Sequence, residues 1–381
     1  MAYFDNAATT FPKPEIVYQM MDLFYRNHGG SAGRGNHELS KTTTELISET
    51  RNQLRELLHC PAKDVVFTPT DTIALNMIIQ GLIKAGIRNV YITPFEHNAV
   101  TRTLHAFEKK GIINVFELSI KDNLELDFDR IHYQFDNTSP DLLIASHASN
   151  VLGLIIPVVD LFSLAKEYGS ITALDMAQTA GLIDIDIGSS LFDFAVFAGH
   201  KTLYGPTGIS GFVMNPQIDL PPVLFGGTGY DSANQDMPDS VPERYEMGTL
   251  NTSGIAGLNA ALKWISETRI ETIWDVECRH REQLLSILSG YEFIQLVGIY
   301  PENQYTGIVS CLIEGISSDS AASVFDRCGV AVRTGLQCAP SAHKVVKTYP
   351  AGTVRISVSF FTDDNDFRAL KSALDYIKDN L

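Results

Sequence analysis

Short apolar runs alternate with longer amphipathic segments through the first two thirds of the chain. Within each run the apolar residues are continuous, which predicts strands that are buried on both faces. We predict strands at 65–67, 90–92, 114–118, 142–145, 171–174, 194–197 and 209–213. Helical spacing of apolar residues predicts helices at 15–26, 40–58, 73–85, from about 96, and at 160–168. This order predicts a mainly parallel sheet covered by helices, with ligands at the carboxyl ends of its strands.

The pattern changes after Pro216. Residues 220–246 are rich in glycine and proline and predict loops. Beyond them, we predict helices at 253–267, 273–288, 320–328 and 366–377, and strands at 307–313, 330–333 and 353–359. A chain of 381 residues is too long for one ordinary hydrophobic core. We therefore predict a large α/β domain over 15–252 and a smaller α+β domain formed by 1–14 and 253–381.

The predicted strand at 194–197 leads to His200 and Lys201, and the loop that follows is broken by Gly205 and Pro206. A lysine at the end of a strand, before a glycine-rich turn, directs its amine at a fixed point. Such a lysine forms a Schiff base in enzymes that use pyridoxal phosphate (PLP). Because most lysines are solvated surface charges, this hypothesis depends on finding the other parts of a PLP site.

Other predicted strand ends carry candidates for those parts. Asp175 ends a strand and could pair with the pyridine nitrogen, and Gln178 could reach the ring hydroxyl. His97 follows another strand and offers a flat ring for stacking. Asp71 and Thr72 open a helix directly after a strand, where free backbone N–H groups favour a phosphate. Taken singly, each residue is explained as well or better by an ordinary structural role such as helix capping.

Three further features point to a substrate. Arg355 lies inside a predicted strand, where its charge needs a substrate carboxylate or a structural salt bridge. Asn150 follows the strand at 142–145 and could touch the ring oxygen or the substrate. The small residues at 3–10, which include Ala8, could lie against a ligand, although a packed arm is the simpler interpretation.

The five cysteines are scattered and form no Cys-x-x-Cys pair, so neither a zinc site nor a disulfide framework is predicted. Free thiols fit a reducing cytoplasm. Cys338 lies in a loop shaped by Gly335 and Pro340, near Arg333, whose charge favours a thiolate nucleophile. The other four cysteines lie in helical or strand-like stretches and are expected to be unreactive.

Charge and hydropathy exclude several classes of protein. The net charge of −16 argues against a nucleic-acid-binding surface, which needs a basic stripe. Residues 1–10 lack the basic start and apolar core of a signal peptide. No apolar run approaches the length of a membrane span. We expect no nucleic-acid partner, no membrane partner and no metal site.

The candidate residues occur in motifs that resemble those of cysteine desulfurases, in the class V aminotransferase group of fold-type I PLP enzymes. The resemblance covers nearly the whole chain. The matching segments are Tyr3-Phe4-Asp5-Asn6-Ala7-Ala8-Thr9-Thr10, Arg34-Gly35-Asn36-His37, Glu96-His97-Asn98, Ser149-Asn150-Val151-Leu152-Gly153, Asp175-Met176-Ala177-Gln178, Gly199-His200-Lys201, Gly205-Pro206-Thr207-Gly208, Gly248-Thr249, Arg333-Thr334-Gly335-Leu336-Gln337-Cys338-Ala339 and Val354-Arg355-Ile356-Ser357. The cysteine segment resembles the branch with a shorter, structured cysteine loop.

The resemblance implies a role for each cofactor residue. Lys201 would be the Schiff-base lysine, and His97 would stack on the ring and take part in proton transfer. Asp175 would pair with the pyridine nitrogen and Gln178 with the ring oxygen. Thr72 and His200 would bind the phosphate, joined by Thr249 of the partner subunit in a homodimer, and Asp71 would contact the cofactor.

The resemblance also implies how the substrate would be handled. Asn150 and Arg355 would hold the carboxylate of L-cysteine, beside Ala8. Cys338 would attack the substrate sulfur, which leaves an enzyme persulfide and releases L-alanine. The persulfide would pass to an acceptor protein, with iron–sulfur cluster assembly, RNA or DNA thiolation and cofactor sulfuration all open as destinations.

Four alternatives remain at this stage. Three are PLP enzymes: a selenocysteine lyase, a cysteine C–S lyase and another class V aminotransferase. A C–S lyase or aminotransferase would not need Cys338. The fourth is a non-catalytic scaffold. This alternative is disfavoured because the chain contains all four of Lys201, Asp175, His97 and Arg355.

Three positions depart from the pattern of the resembled family. Ala198 stands where relatives often carry a serine, which removes one hydroxyl from the expected phosphate site. Gln337 stands just before the cysteine, where short-loop relatives often carry a histidine. Ile73 replaces a glutamate often found in the phosphate turn.

Overall fold

The computed structural model describes residues 1–33, 35, 37–230 and 233–380, so Arg34 and Asn36 of the motif at 34–37 lie outside the described residues. The helices are α1 (Glu15–His28), α2 (Glu38–Leu57), α3 (Asp71–Ala85), α4 (Asn98–Glu108), α5 (Phe128–Asn137), α6 (Val158–Glu167), α7 (Thr252–Thr268), α8 (Ile270–Leu288), α9 (Ser318–Arg327), α10 (Pro340–Val345) and α11 (Asp364–Asn380). The strands are β1 (Ala2–Tyr3), β2 (Asp64–Thr68), β3 (Asn89–Ile92), β4 (Asn114–Glu117), β5 (Leu142–Ser146), β6 (Ile171–Asp175), β7 (Phe194–Ala198), β8 (Ser210–Met214), β9 (Ile294–Val297), β10 (Ile308–Ile313), β11 (Val330–Ala331), β12 (Arg333–Gly335) and β13 (Thr353–Ser357). Within the described ranges, no helix is both long enough and apolar enough to cross a membrane.

Seven strands form the central sheet in the order β2-β8-β7-β6-β5-β3-β4. The strands from β7 to β4 run parallel, and β8 runs antiparallel to both of its neighbours, β7 and β2. The prediction of a mainly parallel α/β sheet is therefore confirmed. The carboxyl ends of β2, β3, β5, β6 and β7 lie at one edge, which brings together loops that are far apart in sequence.

Strand β7 explains why the apolar runs are continuous. Phe194 and Val196 pack in one cluster with apolar residues of α3 and α4. Ala195 and Phe197 pack in a second cluster with residues of α2, α5, α6 and α7. Both faces of the strand are thus covered by helices, and each buried phenylalanine contributes about 1.5–3 kcal/mol to stability. This packing fixes the strand that leads to Lys201.

The C-terminal part contains an antiparallel sheet in the order β12-β13-β10-β9. Its apolar face packs with α8, α9 and α11 into a third cluster, which includes Val309, Val354 and Phe325. The N-terminal strand β1 pairs in parallel with β11 and therefore joins this part of the molecule. Helix α7 packs against α1 and α2. The division of the chain at residue 252 stays a prediction.

The segment 215–251 contains no helix or strand in its described residues. Buried polar contacts anchor it to the large sheet. Glu246 forms an ion pair with Arg51, and its Oε1 accepts a hydrogen bond of 2.8 Å from Phe67 N in β2. Removing one partner of such a buried pair typically costs about 3–5 kcal/mol. The anchor holds the segment that carries Thr249 beside the strand that leads to α3.

Helices α5 and α10 and strands β1 and β9 are not predicted from the sequence. Helix α5 buries only Ile131 and Phe135, so its apolar stripe is narrow. Strand β9 is largely half-exposed and lacks the apolar run of a central strand. The predicted strand at 330–333 is divided in two, because β11 pairs with β1 whereas β12 pairs with β13.

His147 follows β5 and is only 5% exposed. Its Nδ1 lies 3.0 Å from Oγ1 of Thr179. Burial lowers the pKa of His147 from its ordinary 6.5 to about 4. The unfolded chain therefore takes up this proton at a higher pH than the native state does. It follows that the native state loses stability as the pH falls from 6.5 through 4.

We expect His147→Gln to weaken the acid sensitivity of the fold. Between pH 7 and pH 5, the variant should lose about 2 kcal/mol less unfolding free energy than the unmodified protein. Urea unfolding at the two pH values measures this difference. The control is His105→Gln, which alters an exposed ring on α4 and should leave the pH dependence unchanged. Equal pH dependence in His147→Gln and the unmodified protein would contradict the assignment.

Candidate active site

Five loops or strand ends meet at the carboxyl edge of the central sheet. They follow or end β2, β3, β5, β6 and β7 and carry Asp71, His97, Asn150, Asp175 and Lys201. Lys201 Nζ lies 3.9 Å from Oδ2 of Asp71. The charge of Lys201 also acts on the pKa values of His97 and Asp175. Residues that are predicted for one site are therefore brought together by the topology of the sheet.

Asp175 is a buried carboxyl with one free oxygen. Burial raises its pKa to about 6, and the negative charge of Asp71 adds to this effect, whereas Lys201 opposes it. Oδ1 accepts a hydrogen bond of 2.9 Å from Ala177 N. In the described residues, Oδ2 has no hydrogen-bond donor. A ligand with an N–H group would supply that donor and favour the ionised carboxylate.

His97 caps α4 and is held in one orientation. Its Nδ1 accepts a hydrogen bond of 3.1 Å from Ala99 N, so a neutral ring carries its proton on Nε2. The pKa of His97 is lowered to about 4, chiefly by burial and also by the charge of Lys201, whereas Asp71 opposes both effects. The ring is therefore flat, fixed and uncharged at neutral pH.

The first turn of α3 forms the predicted phosphate turn. Thr70 caps the helix, because its Oγ1 accepts a hydrogen bond of 3.2 Å from Ile73 N. Oδ1 of Asp71 accepts a hydrogen bond of 2.8 Å from Thr72 N. Thr72 is exposed, and its hydroxyl has no partner in the described residues. The helix start thus combines the capping role with a free hydroxyl at the positive end of the dipole.

Thr249 lies beside this turn, whereas His200 lies beside Lys201. Thr249 is exposed and lines, together with Pro69 and Gly208, a cavity of about 320 Å³ beside the phosphate turn. His200 lies close to the backbone of Ala8, which acts on the pKa of its ring against the lowering effect of burial. Burial lowers the pKa of His200 to about 4, with a further contribution from Lys201. His200 is therefore a neutral ring beside the lysine.

The N-terminal arm lies across the loop of Lys201. The carbonyl of His200 accepts hydrogen bonds from Thr9 Oγ1 at 3.0 Å, from Thr10 N at 3.1 Å and from Lys13 Nζ at 2.6 Å. Thr10 Oγ1 also donates to the carbonyl of Lys201 at 3.0 Å. The sequence of residues 3–10 predicts mainly a packed arm, and Lys13 has no predicted role. In the structure, the arm fixes the backbone that carries the site lysine.

The arm also reaches the other candidate residues. The carbonyl of Ala7 accepts a hydrogen bond of 2.9 Å from Nε2 of Gln178. Oδ1 of Asp5 lies 2.8 Å from Nη2 of Arg355. Asp5 is absent from the predicted site. Two features of the sequence could have identified it. Asp5 is a single carboxylate within a run of small residues, and Arg355 needs a carboxylate partner.

Arg355 is buried, with 2% of its surface exposed. Its Nη1 donates to the carbonyl of Asn150 at 2.8 Å, and its Nη2 binds Asp5. Its Nε is buried without a partner in the described residues. Because an unpaired buried donor is costly, this atom is a candidate contact for an incoming carboxylate. Asp5 thus supplies a structural salt bridge to Arg355, and Nε remains free to bind a substrate carboxylate.

Cys338 is the exposed cysteine of the five, and its loop is held by hydrogen bonds to its backbone. Asn98 N donates to the carbonyl of Cys338 at 2.7 Å. Nδ2 of Asn150 donates to the carbonyl of Gln337 at 2.7 Å. Gln337 and Cys338 both adopt left-handed backbone conformations, with φ of 40° and 59°. Such conformations cost about 1–3 kcal/mol each for residues other than glycine, and the surrounding contacts stabilise them here.

The three departures from the family pattern have distinct structural settings. Gln337 is buried, with its Oε1 2.8 Å from Nε2 of His343 and its Nε2 donating to the carbonyl of Thr353 at 3.0 Å. Ala198 lies opposite Ser210 of β8, whose buried hydroxyl has no partner in the described residues. Ile73 packs against the apolar cluster beneath α3. Gln337 is therefore an anchor of the cysteine loop.

Comparisons with known proteins agree with this geometry. The family model for Aminotransferase class-V matches residues 2–370. A probable cysteine desulfurase of Xylella fastidiosa (strain 9a5c) is 32% identical over 98% of this chain and 90% of its own length. A probable cysteine desulfurase of Pyrococcus abyssi is 30% identical over 100% of this chain and 94% of its own. The apo structure of a cysteine desulfurase from Thermococcus onnurineus superimposes with a TM-score of 0.91, at 27% identity, covering 100% of this chain and 95% of that one.

Enzymes of the matched family use PLP, and the residues described above fit that cofactor. A free carboxylate oxygen on buried Asp175 matches a pyridine N–H, and the start of α3 matches a phosphate. Lys201 offers an amine at the same edge of the sheet, with its Nζ 3.9 Å from Oδ2 of Asp71, which matches the amine that the cofactor requires. The chain belongs to the class V aminotransferase family of PLP-dependent enzymes.

Proposed function

We propose that this protein is a cysteine desulfurase that moves the sulfur of L-cysteine onto Cys338 and releases L-alanine. One observation carries the proposal. An exposed cysteine is held by a 2.7 Å backbone hydrogen bond to Asn98, the residue after His97, at the edge of the sheet that carries Lys201. A thiol in that position can reach the site from one side and solvent from the other. The relatives named above bear the same activity in their names.

The proposal includes the cofactor contacts. Lys201 would hold PLP through its amine, Asp175 would keep the pyridine nitrogen protonated, and Gln178 would meet the ring oxygen. His97 would cover the ring as a flat, neutral group. When bound, the cofactor withdraws electrons from the amino acid, which makes its Cα and Cβ reactive. Thr72, His200 and Thr249 of the partner subunit would hold the phosphate, and Asp71 would contact the cofactor near Lys201.

The substrate carboxylate is assigned to Arg355 and Asn150, beside Ala8. Nε of Arg355 is the buried donor that needs a partner, and Nη2 is shared with Asp5. The amide of Asn150 bonds the loop of Cys338, so this residue links carboxylate binding to the position of the thiol. Ala8 N donates a hydrogen bond of 3.0 Å to the carbonyl of Asp5, which fixes the backbone at Ala8.

The sulfur transfer needs one bond exchange. The thiolate of Cys338 bonds to the substrate sulfur while the carbon–sulfur bond of the substrate breaks. The electron pair of that bond goes to the substrate carbon, which takes a proton to become L-alanine. His97 holds a proton on Nε2 at neutral pH and is positioned for proton transfer. Reduced Cys338 is regenerated when an acceptor thiol removes the outer sulfur.

We also infer the setting of the reaction. The five cysteines of the chain are free thiols, as expected in a reducing cytoplasm. The sulfur acceptor is taken to be a protein, and iron–sulfur cluster assembly is one pathway that would use it. Purified enzyme mixed with a candidate scaffold, L-cysteine and ferrous iron would test that pathway. Clusters that form equally fast without the enzyme would contradict it.

A homodimer is proposed from the exposed apolar surface beside Thr249. Leu224 and Phe225 are 42% and 67% exposed, although both are large apolar residues. Leu224 lines the same cavity as Thr249. Exposed apolar side chains of this size mark interaction surfaces when they lie together. A second copy seated here would cover them and bring Thr249 of the partner subunit to the phosphate turn.

Cys338→Ser tests the activity. With a reductant present, the unmodified protein should release L-alanine and sulfide from L-cysteine, and the variant should lose at least about 100-fold of that rate while keeping the visible colour of bound PLP. Cys328→Ser, which changes a half-buried thiol next to α9, is the control and should retain the rate. Activity that survives in Cys338→Ser, or pyruvate in place of alanine, would assign the protein to a lyase or transaminase.

Arg355→Lys tests the carboxylate site. A lysine keeps the charge but loses the planar pair of donors, so KM for L-cysteine should rise about tenfold or more, with a smaller change in kcat. Arg327→Lys alters an exposed arginine on α9 and is the control. Thermal unfolding of both variants separates a loss of binding from a loss of fold. An unchanged KM in a folded Arg355→Lys protein would contradict the role.

Phe225→Asp tests the dimer. A charge in the proposed contact should lower the mass measured by sedimentation equilibrium toward the monomer and weaken PLP binding, because Thr249 of the partner subunit would be lost. Tyr133→Asp changes a similarly exposed aromatic residue on α5, at 69% exposure, and should alter neither. A monomeric protein with full activity and full PLP binding would exclude the shared site.

A further inference from the structure

Cys338 lies on the wall of a groove that extends away from the candidate PLP site. The groove, which we call the α4–α10 groove, has a volume of about 800 Å³ and lies between α4, α10 and the loop from Arg333 to Cys338. Pockets of about 300–1,000 Å³ accommodate drug-sized ligands. The groove is therefore much larger than a substrate as small as L-cysteine requires. It leaves room for a second molecule that approaches Cys338 from outside.

The cations around this groove contrast with the net charge of the chain, which is −16. Arg102, Arg333 and Lys344 line it, together with His105. In the described part of the chain, no carboxylate lies within ion-pair distance of Arg102 or Lys344. Lys344 Nζ lies 5.6 Å from the ring centroid of Tyr349, a contact that does not neutralise its charge. Cations without a carboxylate partner in a concave surface raise the local concentration of negatively charged partners.

Three carboxylates lie near these cations. Each of them either has another partner or lies at the rim of the groove. Glu108 lies 3.9 Å from His105. Asp5 binds Arg355 and lies 3.7 Å from Arg333. Glu117 lies near Lys344, whose charge acts on its pKa against the raising effect of burial. The groove therefore keeps free positive charge on α4 and α10.

The cysteine loop is fixed at the same place. The side chain of Gln337 is buried between His343 and the carbonyl of Thr353, and Asn98 N holds the carbonyl of Cys338. These contacts tie the loop to α4, α10 and β13, which are the elements that surround the groove. A thiol held in this way transfers its sulfur without leaving its position. The acceptor must therefore bring its own thiol into the groove.

We propose that the α4–α10 groove is the docking site for an acidic segment of the sulfur-acceptor protein, with its thiol directed at Cys338. This inference rests on the proposed desulfurase function. The acceptor thiolate attacks the outer sulfur of the Cys338 persulfide, and a new sulfur–sulfur bond forms on the acceptor. The original sulfur–sulfur bond breaks, and Cys338 leaves as a thiolate that takes the proton given up by the acceptor thiol. The exchange needs no additional oxidant or reductant.

A protein segment fits this groove better than a nucleic acid does. Its cations are interleaved with Glu108 and Glu117, which a continuous phosphate backbone would meet at close range. An acidic peptide can instead position separate carboxylates near Arg102 and Lys344 and place a neutral stretch between them. The excess negative charge of the rest of the chain also opposes a long polyanion.

The test uses three synthetic peptides that each contain one cysteine, flanked by glutamates, by glutamines or by lysines. PLP-loaded enzyme is charged with L-cysteine and desalted, and the rate of persulfide appearance on each peptide is measured by mass spectrometry. The variants are Arg102→Glu, Lys344→Glu and the double variant. Lys378→Glu, on an exposed position of α11, is the matched control. Alanine release driven by dithiothreitol is measured in parallel.

We expect the glutamate peptide to react about tenfold faster than the lysine peptide at low salt, and this preference to shrink in 0.5 M NaCl. The double variant should lose or reverse the preference. Lys344→Glu alone should weaken the preference and leave alanine release driven by dithiothreitol unchanged, whereas Arg102→Glu also changes the charge that acts on His97. Lys378→Glu should behave like the unmodified protein. These results together would support the docking site.

Several outcomes would overturn the inference. Equal rates for the three peptides, with normal alanine release, would remove the docking site and leave the desulfurase function intact. A raised KM for L-cysteine in the charge variants would make the groove the substrate entrance, and a changed mass in sedimentation would make it a contact with a second copy. Transfer that a single-stranded oligonucleotide inhibits more strongly than the glutamate peptide would assign the groove to nucleic acid. If the unmodified protein forms neither alanine nor persulfide, the proposed function itself is wrong.

Discussion

The site depends on the burial of one positive charge, the guanidinium of Arg355. A cation removed from water is costly unless carboxylates and carbonyl groups surround it. Asp5 supplies the carboxylate and Asn150 the carbonyl, so the N-terminal arm and the loop after β5 are both drawn onto β13. The arm then continues to the backbone of His200 and the site lysine. A single electrostatic requirement thus connects the two parts of the chain on either side of the site.

Burial also sets the protonation states of the groups around the lysine. His97 and His200 are kept neutral because desolvation lowers their pKa values, and the charge of Lys201 acts in the same direction. Burial acts on Asp175 in the opposite sense, since it raises the pKa of a carboxyl. A protonated pyridine nitrogen would compensate Asp175 and favour its ionised form. These protonation states match a ligand that places a positive charge beside Asp175 and no charge beside the two histidines.

Much of the sheet and several candidate residues could be predicted from the sequence, because continuous apolar runs mark strands with both faces covered. The run before Lys201 and the strand that ends at Asp175 are of this kind. The arm could not be predicted, since Asp5, Thr10 and Lys13 act through backbone carbonyls and partners more than 180 residues away. Helix α5 was missed because only Ile131 and Phe135 are buried along it. Residue types reveal local periodicity, whereas contacts to the main chain depend on the final topology.

The conformation of the cysteine loop limits how sulfur can leave the enzyme. A flexible loop could carry a persulfide from the cofactor to a distant acceptor, but Gln337 and Cys338 are held in left-handed conformations by hydrogen bonds on both sides. Moving the thiol would break the bonds to Asn98 and Asn150, and Asn150 also holds Arg355. A large displacement of Cys338 would therefore disturb the proposed substrate site itself. In the proposed mechanism, a fixed thiol with an open groove beside it would separate substrate binding from sulfur delivery, because each partner would have its own approach to the same sulfur atom.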